Sequence, residues 1–174
     1  MSVVRQGVGR EQRGVGMVEV LVALLVIAVG VLGYAGMQLF ALRGAEDAGS
    51  RTHATLIARD ALERLLINPA GGGTYFGADS WPAAPVAPGA AYPSLCGSAD
   101  CAPAGLASAD IEQLSWMAAN TLPLGMIMAR DDCSGVPSAS CVVVSWQGVT
   151  PADCIAGGQI PARDSCVVLE ALRP

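Results

Sequence analysis

Residues 20–42 constrain this chain more than any other stretch: twenty-three positions, of which only Gln38 is strongly polar. At a rise of 1.5 Å per residue a helix of that length spans about 35 Å, enough to cross the hydrocarbon core of a bilayer. The run predicts a membrane helix. A single carboxylate, Glu19, stands at its mouth. An acid near the end of such a segment costs about 1–3 kcal/mol unless it snorkels to the headgroups or meets a counter-ion. Glu19 is therefore either a headgroup-level acid or a functional group with a partner.

The residues before it favour the second reading. Arg5, Arg10 and Arg13 stand against Glu11 alone, followed by Gly14. A secretory signal carries its small-residue cleavage site after the apolar core, whereas here the processing-like glycine precedes it. This arrangement resembles the class III leader of type IV pilins and type II secretion pseudopilins. In that family a membrane aspartyl peptidase cuts after glycine and methylates the new amino terminus, and the fifth mature residue is glutamate. Counting from Val15 puts Glu19 fifth. Val15 stands where the family usually has phenylalanine, and Gly16 where serine or threonine is common; a cut after Gly16 puts the glutamate third, outside the family's register. The resemblance implies a leader of residues 1–14. It also implies docking between the Glu19 carboxylate and the α-amino group of a neighbouring subunit's Val15, so that each buried ion has its counter-ion and the pair sets the axial stagger.

All ten basic residues are arginine, and loss of the leader takes the formal charge from −5 to −7. Beyond Ile67 three arginines face nine acids. Non-specific affinity for nucleic acid comes mainly from basic residues neutralising phosphates, so no direct nucleic-acid role is expected. The leader arginines predict a cytoplasmic amino terminus and place the remainder in the periplasm or outside. All six cysteines, Cys96, Cys101, Cys133, Cys141, Cys154 and Cys166, lie on that far side. An even count in an oxidising compartment points to disulfides. Fifteen connectivities are possible; the sequential one, Cys96–Cys101, Cys133–Cys141 and Cys154–Cys166, is expected because each bridge then closes a short loop. No Cys-x-x-Cys occurs and the one histidine, His53, is distant, so no metal site is expected.

Residues 43–67 continue the helical period with a change of character. Ala54, Ile57, Ala58, Ala61, Leu62, Leu65 and Leu66 make one apolar stripe, while Arg51, Thr55, Arg59, Asp60, Glu63 and Arg64 take the other face. Asp47–Arg51 and Asp60–Arg64 are acid-before-base pairs four apart. Asn68-Pro69 and Gly71-Gly72-Gly73 end the helix. Gly30, Gly33 and Gly36 read as a close-packing face, as sites of local melting, which the resemblance offers, or as tolerated small residues. Residues 74–107, rich in Pro, Gly, Ala and Ser, are expected to be loop. A short helix follows, capped by Ser108 or Asp110 and buried through Ile111, Leu114, Met117 and Ala118, with Trp116 as a packing residue. Residues 125–129, 141–146 and 166–172 read as strands, the first two as a hairpin. The expected fold is α+β: a long amino-terminal helix, membrane half (15–42) plus amphipathic half (43–67), packed on a small antiparallel sheet in a disulfide-stapled head (68–174). A head of about a hundred residues is marginal by core burial alone, and short-loop disulfides offset this.

Within the superfamily the chain most resembles the PilV minor pilins, also called type IV pilus modification proteins. The likeness is strongest over residues 13–69, and weaker over the helix with Trp116, the Leu122-Pro123-Leu124-Gly125 turn and the valine-rich strand with Trp146. It implies a minor pilin that helps assemble and prime the pilus at or near its tip, supporting twitching motility and adhesion. The implied partners are other minor pilins, the major pilin, the prepilin peptidase, the inner membrane, the pilus assembly platform and a tip adhesin. A minor pseudopilin of type II secretion is the rival, and gene neighbourhood separates the two. A membrane-anchored periplasmic enzyme is the third reading, but Asp131 and Asp132 sit in a Gly/Pro-containing turn and His53 has no evident nucleophile beside it. Calcium on Asp131, Asp132 and Asp153 lacks a spaced loop motif. No catalytic residue and no cofactor is expected.

Overall fold

The structure is a computed structural model and describes residues 14–94, 101–132, 139–155 and 165–172. The expected leader, apart from Gly14, lies outside the described residues. The chain divides into two units, Met1–Ala45 and Glu46–Pro174, and the helix α1 (Met17–Ile67) begins in the first and ends in the second.

In the first unit every described residue is exposed. Valine and isoleucine are indifferent helix formers in water. In hydrocarbon, however, each backbone N–H and C=O must be satisfied within the segment, which the helix does. A Cβ placed on Gly30, Gly33, Gly36 or Gly44 meets no atom within 4 Å.

In the second unit α1 has the expected stripe: Ala54, Ile57, Ala58, Ala61 and Leu65 are buried. Leu62 is partly buried and Leu66 is exposed, so they mark the stripe's margin. Asn68, with Pro69 behind it, leaves the helical region at φ −118° and ψ 63°. The glycines then do something other than make a loose turn. Residues Pro69–Gly71 form a 3₁₀ turn that leads into a one-turn helix, α2 (Gly72–Tyr75). A Cβ on Gly71 would lie 2.9 Å from the Pro103 carbonyl oxygen, so only glycine permits this close approach.

The next helix, α3 (Pro103–Thr121), starts before the expected Ser108 or Asp110 cap. Pro103 supplies the start, because its missing N–H is one the first turn leaves unpaired anyway and its fixed φ suits a helix. Ser108 instead bonds the Ala104 carbonyl within the helix, and Asp110 is buried. The preceding segment is also more than loop: Tyr75 and Trp81 are core residues, and the Trp81 indole N–H donates to the Tyr75 carbonyl at 2.7 Å.

Three strands, β1 (Met126–Arg130), β2 (Ala139–Ser145) and β3 (Cys166–Leu172), form an antiparallel sheet in the order β1-β2-β3. Val144 pairs with Ile127 on one side and Val167 on the other. Every residue of the central strand is buried, which accounts for its unbroken valine run. On one face Val142, Val144 and Trp146 join the helical core. On the other, Cys141 and Val143 meet Cys154 of the 3₁₀ turn Pro151–Cys154 and Ile155 directly behind it. The long amino-terminal helix on a small three-stranded antiparallel sheet is the expected type IV pilin-like fold.

Candidate functional site

The amino-terminal site is built from very little. Gly14 and Val15 are exposed and precede α1, whose first turn carries Glu19. The Glu19 and Val20 amides donate to the Gly16 carbonyl at 3.0 and 3.3 Å, so helical bonding begins directly behind the expected cleavage point. The carboxylate lies at the positive end of the helix dipole, which favours an acid there. From this point the surface is apolar: Val18, Leu21, Leu25, Leu32 and Leu39 are all exposed. The described chain contains one helix long and apolar enough to cross a membrane, and none of its apolar window is buried within the protein.

In the second unit the chemistry-bearing side chains converge where sequence spacing did not place them. Arg64, expected only as the partner of Asp60, spans two helices. It holds Asp60 through two bonds of 3.1 Å and reaches Asp110 at 2.7 Å and Gln113 at 3.0 Å. Tyr75 donates its phenolic hydrogen to the other Asp110 oxygen. Asn68 closes the same corner by donating to the Pro103 carbonyl at 2.8 Å. Burial works against the Arg64 charge, but the hydrogen bonds to Asp60 and Asp110 outweigh it and hold the guanidinium above its usual range. Burial, reinforced by the Asp110 bond, raises the Tyr75 phenol. The knot ties the end of α1 to α2 and α3. Its signal in the sequence was Asp110 and Gln113, polar residues three apart on a helix face otherwise filled by Ala107, Ile111 and Leu114.

The remaining candidates stay apart. His53 is exposed on α1. Asp131 and Asp132 are exposed after β1, while Asp153 forms a capping box with Thr150, its carboxylate accepting from the Thr150 hydroxyl at 2.7 Å. No group of three acids, histidines or cysteines suited to a metal occurs among the described residues. Trp116 donates its indole N–H to the Ala90 carbonyl at 2.7 Å and stacks edge-on against Tyr92.

Cys154 and Cys166 form a disulfide, with Cα atoms 5.9 Å apart. Cys141 is also disulfide-bonded, and its expected partner Cys133 lies outside the described residues. Cys101 departs from expectation: it is an exposed free thiol. Its expected partner Cys96 lies outside the described residues. The chain at Ala102 is extended (φ −51°, ψ 148°) and runs straight into α3, so Cys101 lies on the approach to that helix.

Compared with known families, residues 36–112 match the family described as Type IV pilin Tt1218, and residues 9–35 match the prokaryotic N-terminal methylation motif. The two matches abut. Together they support a type IV pilin. The methylation motif covers Gly14, Val15 and Glu19, and the pilin match runs through the amphipathic half of α1 to the first part of α3. Pilins are structural rather than enzymatic subunits, and the motif with its apolar helix fits a pilin anchored in the inner membrane. Processing by a prepilin peptidase and association with other pilus components go with that family. No curated protein and no solved structure matches the chain.

Proposed function

We propose that this pilin is a minor one, of the PilV or pilus modification type, which joins other minor pilins to prime filament growth and sits at or near the tip. In this reading the peptidase cuts after Gly14 and the new amino terminus at Val15 is methylated. Before assembly the amino terminus is cytoplasmic and the head periplasmic; afterwards the subunit is at the cell surface, where it supports twitching motility and adhesion. Its partners are the major pilin, the assembly platform and a tip adhesin.

The observation that carries the reading is the combination of the Gly14-to-Glu19 spacing with the wholly exposed apolar first half of α1 behind it. A bare apolar helix needs lipid or other helices. Within a bundle of such helices a lone carboxylate is tolerable when a cation meets it, and the only charge that processing creates nearby is the α-amino group of Val15. Glu19 of one subunit and Val15 of the next thereby become a docking pair.

Intact mass of the protein from membranes of its native host tests this. The expected species begins at N-methylated Val15. A mass that retains residues 1–14 removes the free amino group and overturns the docking pair.

A further inference from the structure

The sheet treats its two edges differently. Beside β1, residues of the segment 78–86 share clefts with Met126 and Ile127, and Trp81 is only 8% exposed. Among the described residues, β3 shares a cleft only on the side of α1, through Ala171, and it pairs with no strand but β2. Strand β3 is seven residues long, contains no proline or lysine, and has a single charge, Glu170. Natural sheets usually blunt an open edge with such residues or cover it, and a long apolar edge left bare is a pairing surface.

The backbone of that edge can be assigned. The Trp146 N–H donates to the Ser165 carbonyl at 3.1 Å, which fixes the phase of the β2–β3 ladder. Hydrogen-bonded and non-bonded pairs alternate in an antiparallel ladder. Val167, Leu169 and Ala171 therefore bond inward to Val144, Val142 and Ser140, while Cys166, Val168, Glu170 and Leu172 turn their N–H and C=O groups outward. Just inside the same edge lies an apolar cavity of about 140 Å³, lined by Leu62, Leu66, Phe76, Ser140 and Ala171 among others. Leu66 is 47% exposed there.

We propose that β3 receives a strand donated by a partner protein. The outward backbone groups demand an extended segment, the chemistry of strand addition. The cavity sets one face of it: side chains directed toward α1 must be apolar, and one of them enters between Leu62, Leu66 and Ala171. Glu170 sets the other face, where a basic residue stands beside it. A second copy of this chain does not meet that requirement, because β3 has no basic residue and self-pairing brings a Glu170 to the shared edge from each copy. The inference needs only the folded head; that the partner is met in a pilus rests on the function proposed above.

A photo-crosslinking residue at Leu172, 71% exposed, in the full chain in host membranes reports the occupant. The expected adduct is with one segment of another envelope protein that alternates apolar and polar residues and carries a Lys or Arg. Glu170→Lys, which leaves the folded interior untouched, reduces the adduct at least about tenfold, and Val168→Pro, which removes one outward N–H, does the same. Adducts confined to lipid, to this chain's own residues or to a second copy overturn the inference, as does a partner adduct that Glu170→Lys leaves unchanged. Intact mass from the same cells reads the leader separately. An adduct from an uncut chain sinks the pilin processing argument and keeps the edge; a processed chain without an adduct does the reverse.

Discussion

The two halves of α1 are one continuous helix made under opposite rules. Residues 17–45 have no side chain buried in the protein, and their glycines touch nothing. Residues 46–67 bury small side chains, Ala54, Ala58 and Ala61, against the head, and spend their last turn on Arg64. The first half is unfinished until something else covers it. The second is finished within its own chain. Apolar surface of the first kind marks a place for lipid or for other helices. The alanines of the second kind let α1 lie close against its neighbours, so that three strands and three helices make a core in which β2 is buried on both faces.

Substitutions in the two halves are therefore expected to separate cleanly. The largest effect is expected from Glu19→Val: incorporation into filaments falls at least about a hundredfold, because a neighbour's buried amino group loses its counter-ion at about 3–5 kcal/mol. The melting temperature of the head is unchanged. Filament content by immunoblot and thermal unfolding read the two, and a normal level of incorporation breaks the comparison.

Arg64→Met inverts the pattern. It leaves Asp110, whose side chain is 11% exposed, without its cation, and is expected to lower the stability of the head by about 3 kcal/mol. Membrane insertion persists. Chemical denaturation gives the loss, and a loss below about 1 kcal/mol removes the knot as the end-clamp of α1.

The smallest effect sharpens rather than breaks. Tyr75→Phe removes one hydrogen bond to Asp110, worth about 1 kcal/mol near neutral pH. The phenol is raised above its usual 10.0 in the folded head, so its contribution is complete below that pH. As pH climbs further the unfolded chain ionises first and the contribution is lost. Denaturation midpoints of the two proteins are therefore expected to differ at pH 8 and to converge above about pH 10. A gap that stays constant through that range assigns Tyr75 no part in the knot.

Much of this was legible because it is periodic or chemically rare. The stripe of α1 repeats at three and four residues, and five of its seven members are buried. The β3 bounds expected from the valine run match those observed, and the β1 and β2 expectations were within one or two residues. The start of α3 was not legible: its first turn is Pro-Ala-Gly-Leu, and a composition rich in Pro, Gly and Ala looks like loop until Pro103 is seen at the first helical position. Trp81 was hidden for the same reason. The expected Cys96–Cys101 bridge relied on loop length alone, and Cys101 is a free thiol.

What the sequence determined by itself is the apolar helix, the buried stripe of its second half and the three strand runs, because each depends on neighbours along the chain. What only the tertiary structure decided is which distant groups meet. Arg64 finds Asp110 forty-six residues away, Asn68 finds the Pro103 carbonyl, and β1 and β3 become the two outer strands around β2, with the segment 78–86 brought beside β1. Those choices follow from burial: once Ala58 and Ala61 bring α1 against its neighbours, the charged groups trapped at the corner are driven to pair with one another, and only the folded chain specifies which meets which.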